Sequence, residues 1–66
     1  MPGEVHFKLV KRMLKSAGYE HVRTASSHFI FEKPGKPLLS IPVHKNKVKP
    51  VYVRQIKKII VQDEET

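Results

Sequence analysis

Four histidines, His6, His21, His28 and His44, are the side chains of this 66-residue chain whose ordinary titration range reaches neutral pH. Proton transfer is therefore the chemistry to look for first. No two of them have the i, i+4 spacing of a helical metal site, and no carboxylate stands close enough in sequence to complete a ligand set. No metal and no cofactor is expected, and the lack of cysteine removes thiolate zinc sites, disulfides and thiol nucleophiles. His6, between Val5 and Phe7, reads as a boundary residue of a helix, and His21 as a residue within a strand. His28 differs, because in "SSHFIFEKPG" it heads a short apolar run that ends in a Pro-Gly turn. His44 follows "IPV" at the close of the next run. In a hairpin pivoting on Pro34-Gly35 the start of one strand meets the end of the other, so the two imidazoles are expected to be neighbours.

A histidine pair on a basic surface suits RNA cleavage. The 2′-hydroxyl is the nucleophile, and the protein supplies only proton transfer and charge stabilisation. A structural reading stays open beside it, in which His28 ends a strand and His44 bonds the loop backbone.

The elements that must hold these residues follow from periodicity. From Glu4 to Ala17, Val5, Leu9, Met13 and Ala17 recur every fourth residue, widened by Val10 and Leu14, which predicts an amphipathic helix closed by Gly18 as its left-handed C′ residue. Tyr19 to Thr24 alternates and predicts a strand with Tyr19, His21 and Arg23 on one side. Ala25-Ser26-Ser27 is a turn, His28 to Glu32 a second strand, and "KPGK" a type II turn. Leu38 to Val43 is a third strand, with Pro42 requiring an edge or an end. "HKNKVK" reads as a basic loop. Pro50 opens a second helix with Val53, Ile56, Ile59 and Ile60 on its apolar face, and the acidic tail from about residue 62 is expected to fray at the wrong end of that helix's dipole. The fold class is thus α+β: helix, three-stranded antiparallel sheet, helix. Each helix has one apolar face, so both should cover the same face of the sheet.

Thirteen Lys and Arg stand against six Asp and Glu, and three of those acids are Asp63, Glu64 and Glu65 in the tail. Residues 1 to 60 carry the 13 bases against only Glu4, Glu20 and Glu32, a net of about +10. Such a field attracts polyanions: nucleic acid, or an acidic protein that masks the same surface. At this length a single domain over 1–66 with a shallow surface is expected. With no apolar signal core and no stretch approaching a membrane span, the expectation is a cytoplasmic chain with no membrane partner.

Taken together, "MLKSAGYEHVR", "SSHFIFEKPG", "IPVHKNKVKP" and "VRQIKKII" resemble the HicA (YcfA-like) family of mRNA interferase toxins, from about residue 7 to residue 60. The order Ala-Gly-aromatic, Ser-His, Pro-Gly, Pro-Val-His, Lys-Pro, Arg-x-x-Ile carries the likeness. It implies a fold like a double-stranded-RNA-binding domain and the activity of the toxin of a type II toxin–antitoxin pair, an endoribonuclease that cleaves mRNA independently of translation. It also implies inhibition by a HicB-type antitoxin that covers the site. The catalytic histidine of the family's Gly-Ser-His motif matches His28, and Ser26 stands where the family has glycine. The family's Lys-Pro-Gly-Thr is here Lys49, Pro50, Val51, Tyr52. His28 is then the expected acid–base group, with His44 as a second candidate. Lys33, Lys36, Lys45 and Lys47, around the two loops, are the candidates for RNA phosphates, and Ser27 for positioning the imidazole or donating to a phosphate oxygen. The competing readings are a non-catalytic RNA-binding module of the same fold, and a domain whose basic face only docks an acidic protein.

Overall fold

The structure, a computed structural model, describes residues 3–65. A two-residue strand β1 (Val5–His6) leads into helix α1 (Phe7–Ser16). Strands β2 (Glu20–Ala25), β3 (His28–Glu32) and β4 (Leu39–Pro42) come next, then β5 (Lys47–Val48) and helix α2 (Pro50–Glu65). The main sheet is antiparallel in the order β2-β3-β4, as the alternation predicts.

α1 starts at Phe7, two residues after its apolar stripe begins at Val5. His6 is its N-cap, with Nδ1 accepting the Lys8 N–H at 3.1 Å. Its other end is a Schellman motif: Gly18 at φ +96° donates to the Lys15 carbonyl, and the Tyr19 N–H to that of Leu14. Tyr19 and Leu14 are both buried, so the motif also turns the chain into the core.

One core lies between the helices and one face of the sheet. Val10 and Leu14 from α1 and Val53 and Ile56 from α2 meet Phe31, Ile41, Val43 and Tyr19, so both helices cover the same face. Phe7 stacks on Phe29 at 4.4 Å between ring centroids and meets the edge of Phe31 at 6.3 Å. Phe29 and Phe31 therefore point to the helices. By the two-residue period of a strand, His28, Ile30 and Glu32 point the other way.

Two expectations need correction. β2 does not keep Tyr19, His21 and Arg23 on one side, because the register shifts between His21, opposite Phe31, and Arg23, opposite Ile30. A bulge at Val22 inserts one residue and reverses the facing of the rest of the strand. "HKNKVK" is not an open loop either. Lys45 and Asn46 both have positive φ, and His44 and Lys47 exchange backbone hydrogen bonds at 2.9 Å in each direction, the geometry of a type I′ hairpin turn. The residues after it form β5 against β1, with Val5 opposite Val48 and His6 opposite Lys47. Val48 is fully buried, and its burial rather than any strand-length pattern makes the element. α2 runs on through the acidic stretch to Glu65. Thr66 lies outside the described residues.

Candidate active site

Three backbone devices set His28. Ser26 and Ser27 make a two-residue loop between β2 and β3, with Ala25 opposite His28. Ser26 takes φ +60°, the left-handed value of the first central position of a type II′ turn, which favours glycine. On the other side His28 lies opposite Pro42 of the edge strand β4. Just past that pair the Val43 N–H donates to the Ser27 carbonyl at 2.9 Å, closing the end of the sheet.

His28 is exposed and opens on a cleft of about 300 Å³ at this end of the sheet. Ser27, Pro42, Val43, His44, Lys47, Lys49 and Tyr52 line it with His28. The fold thus brings together His28, His44, Ser27 and Lys47 from distant parts of the candidate set. His44 and Lys47 come from the ends of the type I′ turn. Lys45, inside that turn, is exposed and does not line the cleft.

The structure places Lys33 and Lys36 elsewhere. They flank the Pro34-Gly35 turn, where Gly35 has φ +78° and the Lys36 N–H donates to the Lys33 carbonyl at 3.0 Å. That turn is at the opposite end of β3, about 16 Å from His28 for a five-residue strand. The Lys33 ammonium stands 5.6 Å from the centre of the Tyr19 ring, beside the C-terminus of α1. A cation there complements the helix dipole and the ring face.

His6 and His21 have local work. His6 caps α1. His21 Nε2 is 2.9 Å from Thr24 Oγ1, and its ring lies 5.2 Å and 5.4 Å from those of Phe29 and Phe31. Neither lines the cleft. Among the described residues no three His, Asp or Glu side chains gather as a metal site.

Lys49 and Tyr52 are the cleft residues that composition and spacing did not single out. The Lys49 carbonyl accepts the first helical bonds, from Tyr52 at 3.0 Å and Val53 at 3.2 Å, so α2 begins at the cleft rim and adds the partial positive charge of its N-terminus. The signal was available in "KP", since a lysine just before an N1 proline sits at a helix start. Tyr52 occupies the place of the threonine in the Lys-Pro-Gly-Thr pattern and puts a half-buried aromatic ring into the cleft wall. Its neighbours are two imidazoles and two lysines, and among the described residues no carboxylate lines the cleft. The arrangement can exchange protons, hold an anion and stack a flat group.

No helix of the described residues is long and apolar enough to cross a membrane. Comparison with curated proteins finds no match, and comparison with solved structures finds none. A sequence model of the family described as the HicA toxin of bacterial toxin–antitoxin systems matches residues 7–60, most of the chain, with His28 and the whole lining of its cleft inside the matched span. The chain belongs to the HicA toxin family.

Proposed function

We propose that this toxin is a metal-independent endoribonuclease that cleaves mRNA by histidine acid–base chemistry, and that its cognate antitoxin is of the HicB type. The observation that carries the reading is the convergence of His28, His44, Lys47 and Lys49 on one open cleft. A phosphodiester seated there meets lysines and a helix N-terminus for its charge. His28 takes the proton from the 2′-hydroxyl as its oxygen attacks the adjacent phosphorus, or gives one to the departing 5′-oxygen. The bond formed is 2′-oxygen to phosphorus and the bond broken is phosphorus to 5′-oxygen, leaving a 2′,3′-cyclic phosphate. His44 is the candidate for the complementary proton transfer. Ser27 is the candidate for orienting the imidazole or donating to a phosphate oxygen.

The test is cleavage of single-stranded RNA by purified protein with chelator present. Cutting of RNA, resistance of DNA, and resistance of an RNA carrying a single 2′-deoxy nucleotide at the scissile position are the expected results. Tight RNA binding without cutting would favour the non-catalytic module. Cleavage that requires an added metal ion would overturn the proton-transfer scheme.

A further inference from the structure

A second surface, sharing no residue with the cleft, lies between the two helices. Val5, Leu9 and Met13 repeat every fourth residue along one wall, and Val53 and Ile60 of α2 form the other, enclosing an open trough of about 620 Å³. Val53 is buried at its base, while Leu9 is 52% exposed in the first turn of α1. A leucine so placed is not needed for the core, which Val10 and Leu14 on the adjoining face of α1 already fill. Arg12 and Lys57 stand on opposite rims. The surrounding charge has one sign: α1 carries Lys8, Lys11, Arg12 and Lys15 with no acid, and α2 carries Arg54, Lys57 and Lys58 before its first acid at Asp63.

We propose that this groove takes an acidic amphipathic helix from a protein partner. A trough walled by two helices, with apolar residues at helical spacing, matches the mode in which a helix lays its i, i+3, i+4, i+7 anchors into a hydrophobic groove. Glutamates or aspartates flanking those anchors would meet Arg12 and Lys57, one from each rim. The basic walls select such an occupant over a second copy of this chain, because two copies at +7 repel each other. They select it over RNA because the floor is apolar and offers a nucleic acid few polar partners. Membership in a toxin–antitoxin family supplies a reason for a protein partner. The groove would give that partner a hold independent of the cleft, so a bound chain could stay anchored whether or not the cleft is covered.

The probe is an acetylated, amidated peptide of about 16 residues, long enough to form helix, with leucines at i, i+3, i+4, i+7 and glutamates on both flanks. Its twin has lysine for every glutamate. With isotopically labelled protein, the glutamate peptide should shift the amides of Leu9, Met13 and Ile60 saturably and leave those of Ser27, His28 and His44 in place. The lysine twin, and the Arg12→Glu/Lys57→Glu protein, should each bind at least about tenfold more weakly. Leu9→Ser, at an exposed position that leaves the fold intact, should weaken binding by a similar factor. Shifts confined to the cleft would overturn the proposal, as would equal binding of the two peptides. Peptide-free shifts at Leu9 and Ile60 that grow with protein concentration would make a second copy the occupant, and shifts there on adding an RNA oligonucleotide alone would make it nucleic acid. None of these outcomes depends on whether His28 cleaves RNA.

Discussion

His28 lies directly opposite Pro42, at the last pair of the β3–β4 ladder. Because the next pair outward is bonded, Val43 N–H to Ser27 carbonyl, the His28/Pro42 pair falls in a narrow, non-hydrogen-bonded position of the antiparallel pattern. The proline nitrogen then faces the free edge of the sheet and no ladder bond is lost. The same alternation brings the two side chains close, so the pyrrolidine ring is a stiff wall beside the imidazole. Ala25, opposite His28 on the other strand, is too small to cover it.

The first prediction concerns that imidazole. A positioned acid–base group contributes about 10²–10⁴ in rate, so His28→Ala should lower RNA cleavage by that factor. Its thermal midpoint should stay close to that of the parent, because His28 is exposed. His6→Ala and His21→Ala should retain cleavage and lose stability instead, through the cap and the Thr24 contact. A folded His28→Ala protein with parental cleavage would remove His28 from the mechanism. His44→Ala separates the two roles left for His44: loss of rate with an unchanged midpoint makes it a proton donor, and loss of the midpoint makes it a turn residue.

Cleft lysines should dominate the salt dependence of RNA affinity. Each phosphate neutralised adds about 0.7 to the log–log slope for a single strand, so Lys47→Ala/Lys49→Ala should flatten it by roughly 1.4. Lys33→Ala/Lys36→Ala, at the far end of β3, should flatten it by much less. Equal flattening by the two pairs would mean that RNA runs along the whole sheet rather than across its end.

Ser26 holds a left-handed conformation that costs an ordinary residue about 1–2 kcal/mol, part of which glycine returns as lost chain entropy. Ser26→Gly should therefore stabilise the protein by about 0.5–1 kcal/mol, a rise of several degrees in Tm for a domain of this size. Cleavage should be unchanged, because the loop already has the geometry glycine would adopt. A fall in Tm would show that the Ser26 side chain holds the turn.

Val48 joins the β1–β5 pair to the core and carries the turn from which His44 and Lys47 reach the cleft. Val48→Thr keeps the shape and buries a hydroxyl, at a cost of about 1–3 kcal/mol. Urea unfolding should show that loss at constant m-value. RNA cleavage measured well below the unfolding transition should fall as well, if His44 and Lys47 must be held in place.

A HicB-type antitoxin that covers the cleft should exclude an uncleavable RNA in competition binding, and Lys47→Glu/Lys49→Glu should weaken both ligands. A ternary complex with both bound would show that inhibition acts from somewhere other than the cleft.

Much of this molecule was legible in local chemistry. Gly18 and Gly35 at positive φ, Pro34 before Gly35, and Pro50 at the head of α2 act within one turn of chain, so their residue types specify the caps and turns directly. The stripe through Val53 and Ile56 marked the core face of α2, but on α1 the fourth-residue stripe of Val5, Leu9, Met13 and Ala17 lies to one side: Val10 and Leu14, read as widening it, are the buried pair, and Leu9 is exposed. The run from His28 to Glu32 has the bounds its composition predicts, and its place at the head of that run singled out His28, while the catalytic role is what the resemblance implies.

Tertiary structure decided which cations accompany it. Lys33 and Lys36 flank a loop as Lys45 and Lys47 do, and charge alone cannot rank them. Strand length sends the first two to the far end of β3, whereas the type I′ turn and β5 fold Lys47 back to His28 and leave Lys45 pointing outside. The two-residue strands β1 and β5 have no period to read, since two residues are stabilised by what they pack against rather than by any local preference. The bulge at Val22 is also invisible in sequence, because a one-residue shift of register is chosen by the partner strand. Lys49 and Tyr52 reach the cleft for the same reason: the core contacts of Val53 and Ile56 dock α2 where its N-terminus meets the end of the sheet, and only that docking makes neighbours of residues more than twenty positions apart.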